Sequence, residues 1–148
     1  MVTPFDDDGR VDWIQTKRLA QALIESGSDG LVVGATTGEG PTLSMDEKVQ
    51  LWIETKAAIG TTGLIFANTG NYSTYESIEM TKQAEESGVD GLLLTVPYYN
   101  KPPQEGIYEH FKAISGATNL PCILYNIPGR TGVKMSAETT IRLSQIDN

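Results

Sequence analysis

One seven-residue pattern occurs twice and limits the fold more than any other feature. Glu25-Ser26-Gly27-Ser28-Asp29-Gly30-Leu31 returns as Glu86-Ser87-Gly88-Val89-Asp90-Gly91-Leu92. Each copy follows an amphipathic run and leads into an apolar one, Leu31-Val32-Val33 in the first and Leu92-Leu93-Leu94 in the second. Each therefore joins a helix end to a strand start, with Gly27 and Gly88 stopping the helix. Short, continuous apolar strands belong to a parallel sheet covered by helices. The two copies lie two strand-plus-helix units apart, a period of about 30 residues per unit.

The rest of the chain keeps this alternation. Met1-Val2-Thr3, closed by Pro4, reads as the tail of a first strand. Asp12 and Gln15, Ser44 and Glu47, and Ser73 and Glu76 have the spacing of capping boxes. They open helices that end at Gly27, cover 45–59 before Gly60, and cover 74–87 before Gly88. Leu64-Ile65-Phe66-Ala67 and Cys122-Ile123-Leu124-Tyr125 bring the strands to five. A proline-led helix spans about 104–116, and a last helix starts near Ser136.

That period suits a (β/α)8 barrel or a doubly wound sheet. No dinucleotide fingerprint follows the first strand and no P-loop is present, which favours the barrel. A barrel needs eight units and about 250 residues, so 148 residues hold about its first five units. The expectation is an α/β chain in which 1–148 form the N-terminal part of one TIM-barrel domain, truncated before the sixth strand. Five strands alone would leave two exposed edges, which proteins in water avoid.

The formal net charge of -8 argues against nucleic acid or an anionic membrane as partner. No apolar run approaches a membrane span, and no charged-then-apolar leader opens the chain. The single cysteine, Cys122, has no internal disulfide partner, which fits a reducing, cytoplasmic setting. The single histidine, His110, rides a predicted helix, and one histidine without a cysteine cluster argues against a metal site.

Chemistry gathers where the strands end. Gly34-Ala35-Thr36-Thr37-Gly38-Glu39-Gly40 puts two hydroxyls between glycines, which let a ligand approach the backbone. Tyr98 and Tyr99 follow the next-but-one strand, and Tyr125 and Arg130 follow the last. Tyrosine hydroxyls relay protons or hold a carbonyl oxygen, and an arginine forks onto a carboxylate. Taken singly, Thr36 and Thr37 also read as turn caps, the tyrosines as packing or interface aromatics, and Arg130 as a surface ion-pair residue. Their common position after successive strands favours a site for a small carboxylated, carbonyl-bearing substrate.

Four ordered motifs carry a resemblance: Val2-Thr3-Pro4-Phe5, Gly34 to Glu39, Val96-Pro97-Tyr98-Tyr99-Asn100-Lys101-Pro102, and Leu124-Tyr125-Asn126-Ile127-Pro128-Gly129-Arg130-Thr131-Gly132. Together they resemble the dihydrodipicolinate synthase (4-hydroxy-tetrahydrodipicolinate synthase) family of pyruvate-dependent class I aldolases, across essentially the whole chain. The resemblance implies a lyase in which pyruvate forms a Schiff base with a barrel lysine. The derived enamine then attacks L-aspartate-semialdehyde, in the diaminopimelate and lysine pathway. It implies that Thr37 binds the pyruvate carboxylate and that Tyr125 stands over the Schiff base and shuttles protons. Thr36 would link Tyr125 to Tyr99, lent by the neighbouring subunit of a homodimer or tetramer. Arg130 would bind the semialdehyde carboxylate. No cofactor or metal is implied.

Two departures accompany the resemblance. The family's Schiff-base lysine lies on the sixth strand, in a Gly-Ile-Lys-Glu-like run expected a few residues after Asn148. Lys101 and Lys134 fall in loops and Lys17, Lys48, Lys56, Lys82 and Lys112 on predicted helices, so these 148 residues alone are expected to be inactive. Some members also bind lysine as a feedback inhibitor through an Asn and a Glu. Glu76 fits the acid, but Tyr72 stands at the Asn position, and Met45 and Lys48 replace histidines, so inhibition is expected to be weak or absent. A sugar-acid aldolase or sialate lyase of the same superfamily is the rival reading, against which Arg130 counts. A non-catalytic half-barrel module is the rival of another class.

Overall fold

The computed structural model describes residues Met1–Asn148. Helix α1 spans Trp13–Glu25, α2 Met45–Ile59, α3 Thr74–Glu86 and α4 Gln104–Ser115. Strands β1 Gly30–Val33, β2 Leu64–Asn68, β3 Gly91–Thr95 and β4 Cys122–Tyr125 alternate with them. A one-turn helix α5, Pro128–Thr131, and a short α6, Ala137–Leu143, close the chain. No helix is long and apolar enough to cross a membrane.

The strands form one parallel sheet in the order β1-β2-β3-β4. Alternate residues on each strand face opposite ways. Leu31, Val33, Ile65, Ala67, Leu92 and Leu94 are buried, in one core with Leu51, Trp52 and Phe111 of the helices. On the same strands Leu64 and Ile123 are 49% and 44% exposed, and Val32, Phe66 and Leu93 are half-buried. One face is packed by helices; the other is apolar and open.

The repeated heptapeptide has a structural cause. Gly27 (φ 105) and Gly88 (φ 75) take the left-handed conformation just past a helix end. Gly30 and Gly91 begin strands where the next chain is too near for a side chain. A methyl on Gly30 would lie 2.8 Å from the Leu64 carbonyl oxygen, and one on Gly91 would meet the Phe66 ring. The two aspartates differ. Asp29 accepts Leu64 N–H through its carbonyl, whereas Asp90 accepts Ile65 N–H on its carboxylate, 2.8 Å away, and pairs with Lys56.

The expected first strand is absent as a strand. Met1-Val2-Thr3 runs beside β1, but only the Met1 amino group reaches across, donating to Val32 O at 2.7 Å. Pro4 has no N–H with which to continue a ladder. The sheet therefore has four strands rather than five. The capping boxes are also unequal. Ser44 and Glu47 bond reciprocally, while Ser73 caps α3 but Glu76 turns to Asn71 Nδ2 instead, at 2.8 Å. Asp12 alone caps α1, accepting from Ile14 and Gln15 N–H.

Candidate active site

All four strands are parallel, so their C-terminal ends share one edge of the sheet, where a barrel of this kind carries its site. After β1 the chain turns at Gly34 (φ 73) and closes on itself, with Gly38 and Gly40 N–H both donating to Ala35 O, at 2.9 and 3.1 Å. Gly40 packs so tightly on the Gly34 carbonyl that a side chain there would collide with it. Thr36 and Thr37 lie on the single 3₁₀ turn inside this closure, both exposed. Buried Thr3 braces the loop from below by donating to Gly38 O at 2.6 Å. The N-terminal segment thus serves the threonine loop as well as β1.

A polar row continues along the strand ends. Asn68 Nδ2 donates to Gly34 O at 3.4 Å, and Thr95 Oγ1 donates to Asn68 Oδ1 at 3.5 Å. Thr95 stands in register with Tyr125 on β4. Asn68 and Thr95 were not among the residues singled out from sequence. Their signal was there, a polar residue closing an otherwise apolar strand.

The loop after β3 divides its two tyrosines. Tyr98 is half-buried and meets Tyr72 edge-on, with ring centroids 5.1 Å apart. Burial raises its phenol pKa, and Tyr72 and Glu76 add to the effect. Tyr99 is 90% exposed with a left-handed φ of 68. Its N–H donates to Thr131 O at 3.4 Å, tying this loop to the one after β4. Tyr125 is 41% exposed. Arg130 is exposed in α5 and takes part in none of the chain's six ion pairs. Pro128 at the first position and Gly132 (φ 73) at the end make one helical turn of the segment that carries it.

None of the seven lysines lies on a strand. Lys17, Lys56, Lys82 and Lys112 are paired with acids. Lys48 on α2 has its ammonium pKa lowered by burial, with Glu76 opposing the change. Burial pushes the half-buried Cys122 thiol up to about 11, far from a thiolate at neutral pH. No His, Cys, Asp and Glu group of three or more could hold a metal ion.

Comparison with known proteins fits this geometry. The model of the dihydrodipicolinate synthetase family matches residues 1–148. The chain is 57% identical to a 4-hydroxy-tetrahydrodipicolinate synthase of Moorella thermoacetica over its full length, but covers 51% of that protein. It superposes on a dihydrodipicolinate synthase from Bacillus anthracis with a TM-score of 0.99 at 49% identity, covering 100% of this chain and 51% of that one. A chloride-inhibited dihydrodipicolinate synthase from Acinetobacter baumannii, solved with pyruvate, gives 0.98 at 49% identity over the same shares, 100% and 51%. The chain spans about half the length of the curated relatives it matches. Its four strands are thus part of a (β/α)8 barrel, and the chain belongs to the dihydrodipicolinate synthetase family.

Proposed function

We propose that these 148 residues are the substrate-binding half of a 4-hydroxy-tetrahydrodipicolinate synthase. The reading is supported by the position of Thr36 and Thr37 after β1, and of Tyr125 and Arg130 at and after the end of β4, on the C-terminal edge of one parallel sheet, in a chain 57% identical to an enzyme of that name. In this reading pyruvate condenses with a lysine amine outside these residues, losing water to give a Schiff base. Loss of a methyl proton yields the enamine, whose carbon attacks the aldehyde of L-aspartate-semialdehyde.

Each residue has a chemical reason for its role. Thr37 offers its hydroxyl to the pyruvate carboxylate on a loop whose glycines let the backbone come close. Tyr125 moves protons at the Schiff base, with Thr36 as link to Tyr99 of a neighbouring subunit in a homodimer or tetramer. A ring left 90% exposed in the single chain supports a place for Tyr99 in an interface, since such aromatics are enriched there. Arg130, free of internal partners, forks onto the semialdehyde carboxylate.

The test is a rate measurement on the protein with its complete barrel. Turnover of pyruvate with L-aspartate-semialdehyde is expected, and no cleavage of 2-keto-3-deoxy sugar acids or sialate. Sugar-acid cleavage without semialdehyde condensation would overturn the reading.

A further inference from the structure

The loop carrying Arg130 leaves β4 at Asn126 and returns to the core at Met135, which is 4% exposed. Its return leg, Lys134-Met135-Ser136, has no strand beside it. In extended backbone the N–H and C=O of one residue face one side, and the flanking C=O and N–H face the other. Two side-chain amides occupy those two sides. Asn126 Oδ1 accepts from Met135 N–H at 3.1 Å while its Nδ2 donates to Met135 O at 3.0 Å. Gln104, at the start of α4, donates to Lys134 O at 2.8 Å and accepts from Ser136 N–H at 2.9 Å. Thr139 Oγ1 donates a second bond to the same Gln104 oxygen, at 2.8 Å. Two carboxamides thus stand in for two neighbouring strands.

The enclosed turn is fixed from inside as well. Thr131, 3% exposed, places its hydroxyl 2.8 Å from Val133 O and 3.1 Å from Ile127 O. Arg130 precedes it and makes no internal ion pair, so its direction depends on how rigidly the loop is held. We infer that Asn126, assisted from the other side by Gln104, is a positioning residue for Arg130, and thereby sets affinity for the carboxylate of the second substrate. This rests on the proposed role of Arg130 above. The threonine loop is braced separately, by Thr3 and the Gly34–Gly40 contact. Loosening the amide clamp therefore leaves the Thr37 contact to pyruvate in place.

Steady-state kinetics on the complete-barrel protein test this, with Asn126→Ala, Gln104→Ala and Arg130→Ala measured side by side. Asn126→Ala is expected to raise KM for L-aspartate-semialdehyde about tenfold, with Gln104→Ala moving it the same way. KM for pyruvate and the yield of borohydride-trapped pyruvate adduct stay at wild-type values. A purely structural role would move both substrates together, and that result overturns the inference. If Arg130→Ala raises KM for the semialdehyde and neither clamp variant does, the inference fails while the role of Arg130 stands. If Arg130→Ala itself leaves that KM unchanged, the assignment of Arg130 fails, and the inference with it. Should Asn126→Ala not fold, Gln104→Ala decides by the same split between substrates.

Discussion

Acid should destabilise this protein through His110. The ring is 5% exposed on α4 and stacks edge-on against Phe111. Its Nδ1 lies 2.8 Å from the Thr74 hydroxyl at the start of α3, while Nε2 is buried without a partner. Burial lowers its pKa from the ordinary 6.5 to about 4, because a cation there would lose its hydration without gaining a counter-ion. The unfolded chain therefore binds the proton at higher pH than the folded one. Well above pH 6.5 neither state is protonated and the histidine takes nothing from stability. Between pH 6.5 and about 4 the folded state loses about 1.4 kcal/mol per pH unit, for a total of about 3 kcal/mol at most. Denaturant midpoints for wild type and His110→Gln, measured from pH 8 to pH 4, isolate this share, since the carboxylates titrate in both. The variant is expected to start lower, having lost ring packing. The gap between the curves should then close by up to about 3 kcal/mol as pH falls. Parallel curves across the range would refute the reasoning.

Three further outcomes follow from the structure. Gly40→Ala puts a methyl into the Gly34 carbonyl, so the threonine loop must open by roughly 1 Å. Pyruvate KM in the complete-barrel protein should rise at least about tenfold, and an unchanged KM would contradict the assignment of Thr37. Asp90→Ala removes the acceptor of Ile65 N–H and the partner of Lys56, at a cost of about 2 kcal/mol. A denaturant midpoint shows it, and Asp90→Asn should recover part of the loss. Free lysine should inhibit the complete enzyme weakly or not at all, because Tyr72 stands where an Asn is used and Glu76 is already engaged by Asn71 Nδ2. Half-maximal inhibition by micromolar lysine in a turnover assay would contradict this.

Periodicity and punctuation made most of the fold legible. Gly27, Gly60 and Gly88 end helices, Ser44 and Ser73 begin them, and the apolar triplets are the strands. What escaped depends on partners distant in sequence. Met1-Val2-Thr3 has strand-like composition, but strand identity needs a ladder, and only one bond to β1 forms. In the sequence Asn126 is one residue of the segment after the last strand, and Gln104 opens a proline-led helix. Their work is visible only once folding brings Gln104 beside Ser136. The strand-end candidates were legible because a parallel sheet forces the C-terminal ends together, whatever the loops do. Tyr98 and Tyr99 are neighbours of identical type, and only the positive φ of Tyr99 separates a packed ring from an exposed one.

The central claim is that this half of the barrel binds substrate and that the amine nucleophile lies outside it. Incubation of the complete-barrel protein with pyruvate and borohydride, followed by peptide mass mapping, tests it most directly. A single reduced pyruvate adduct on a lysine beyond residue 148, lost in Thr37→Val, is the predicted result. An adduct on Lys48, the lysine here whose ammonium pKa burial lowers, or the absence of any adduct, would contradict it.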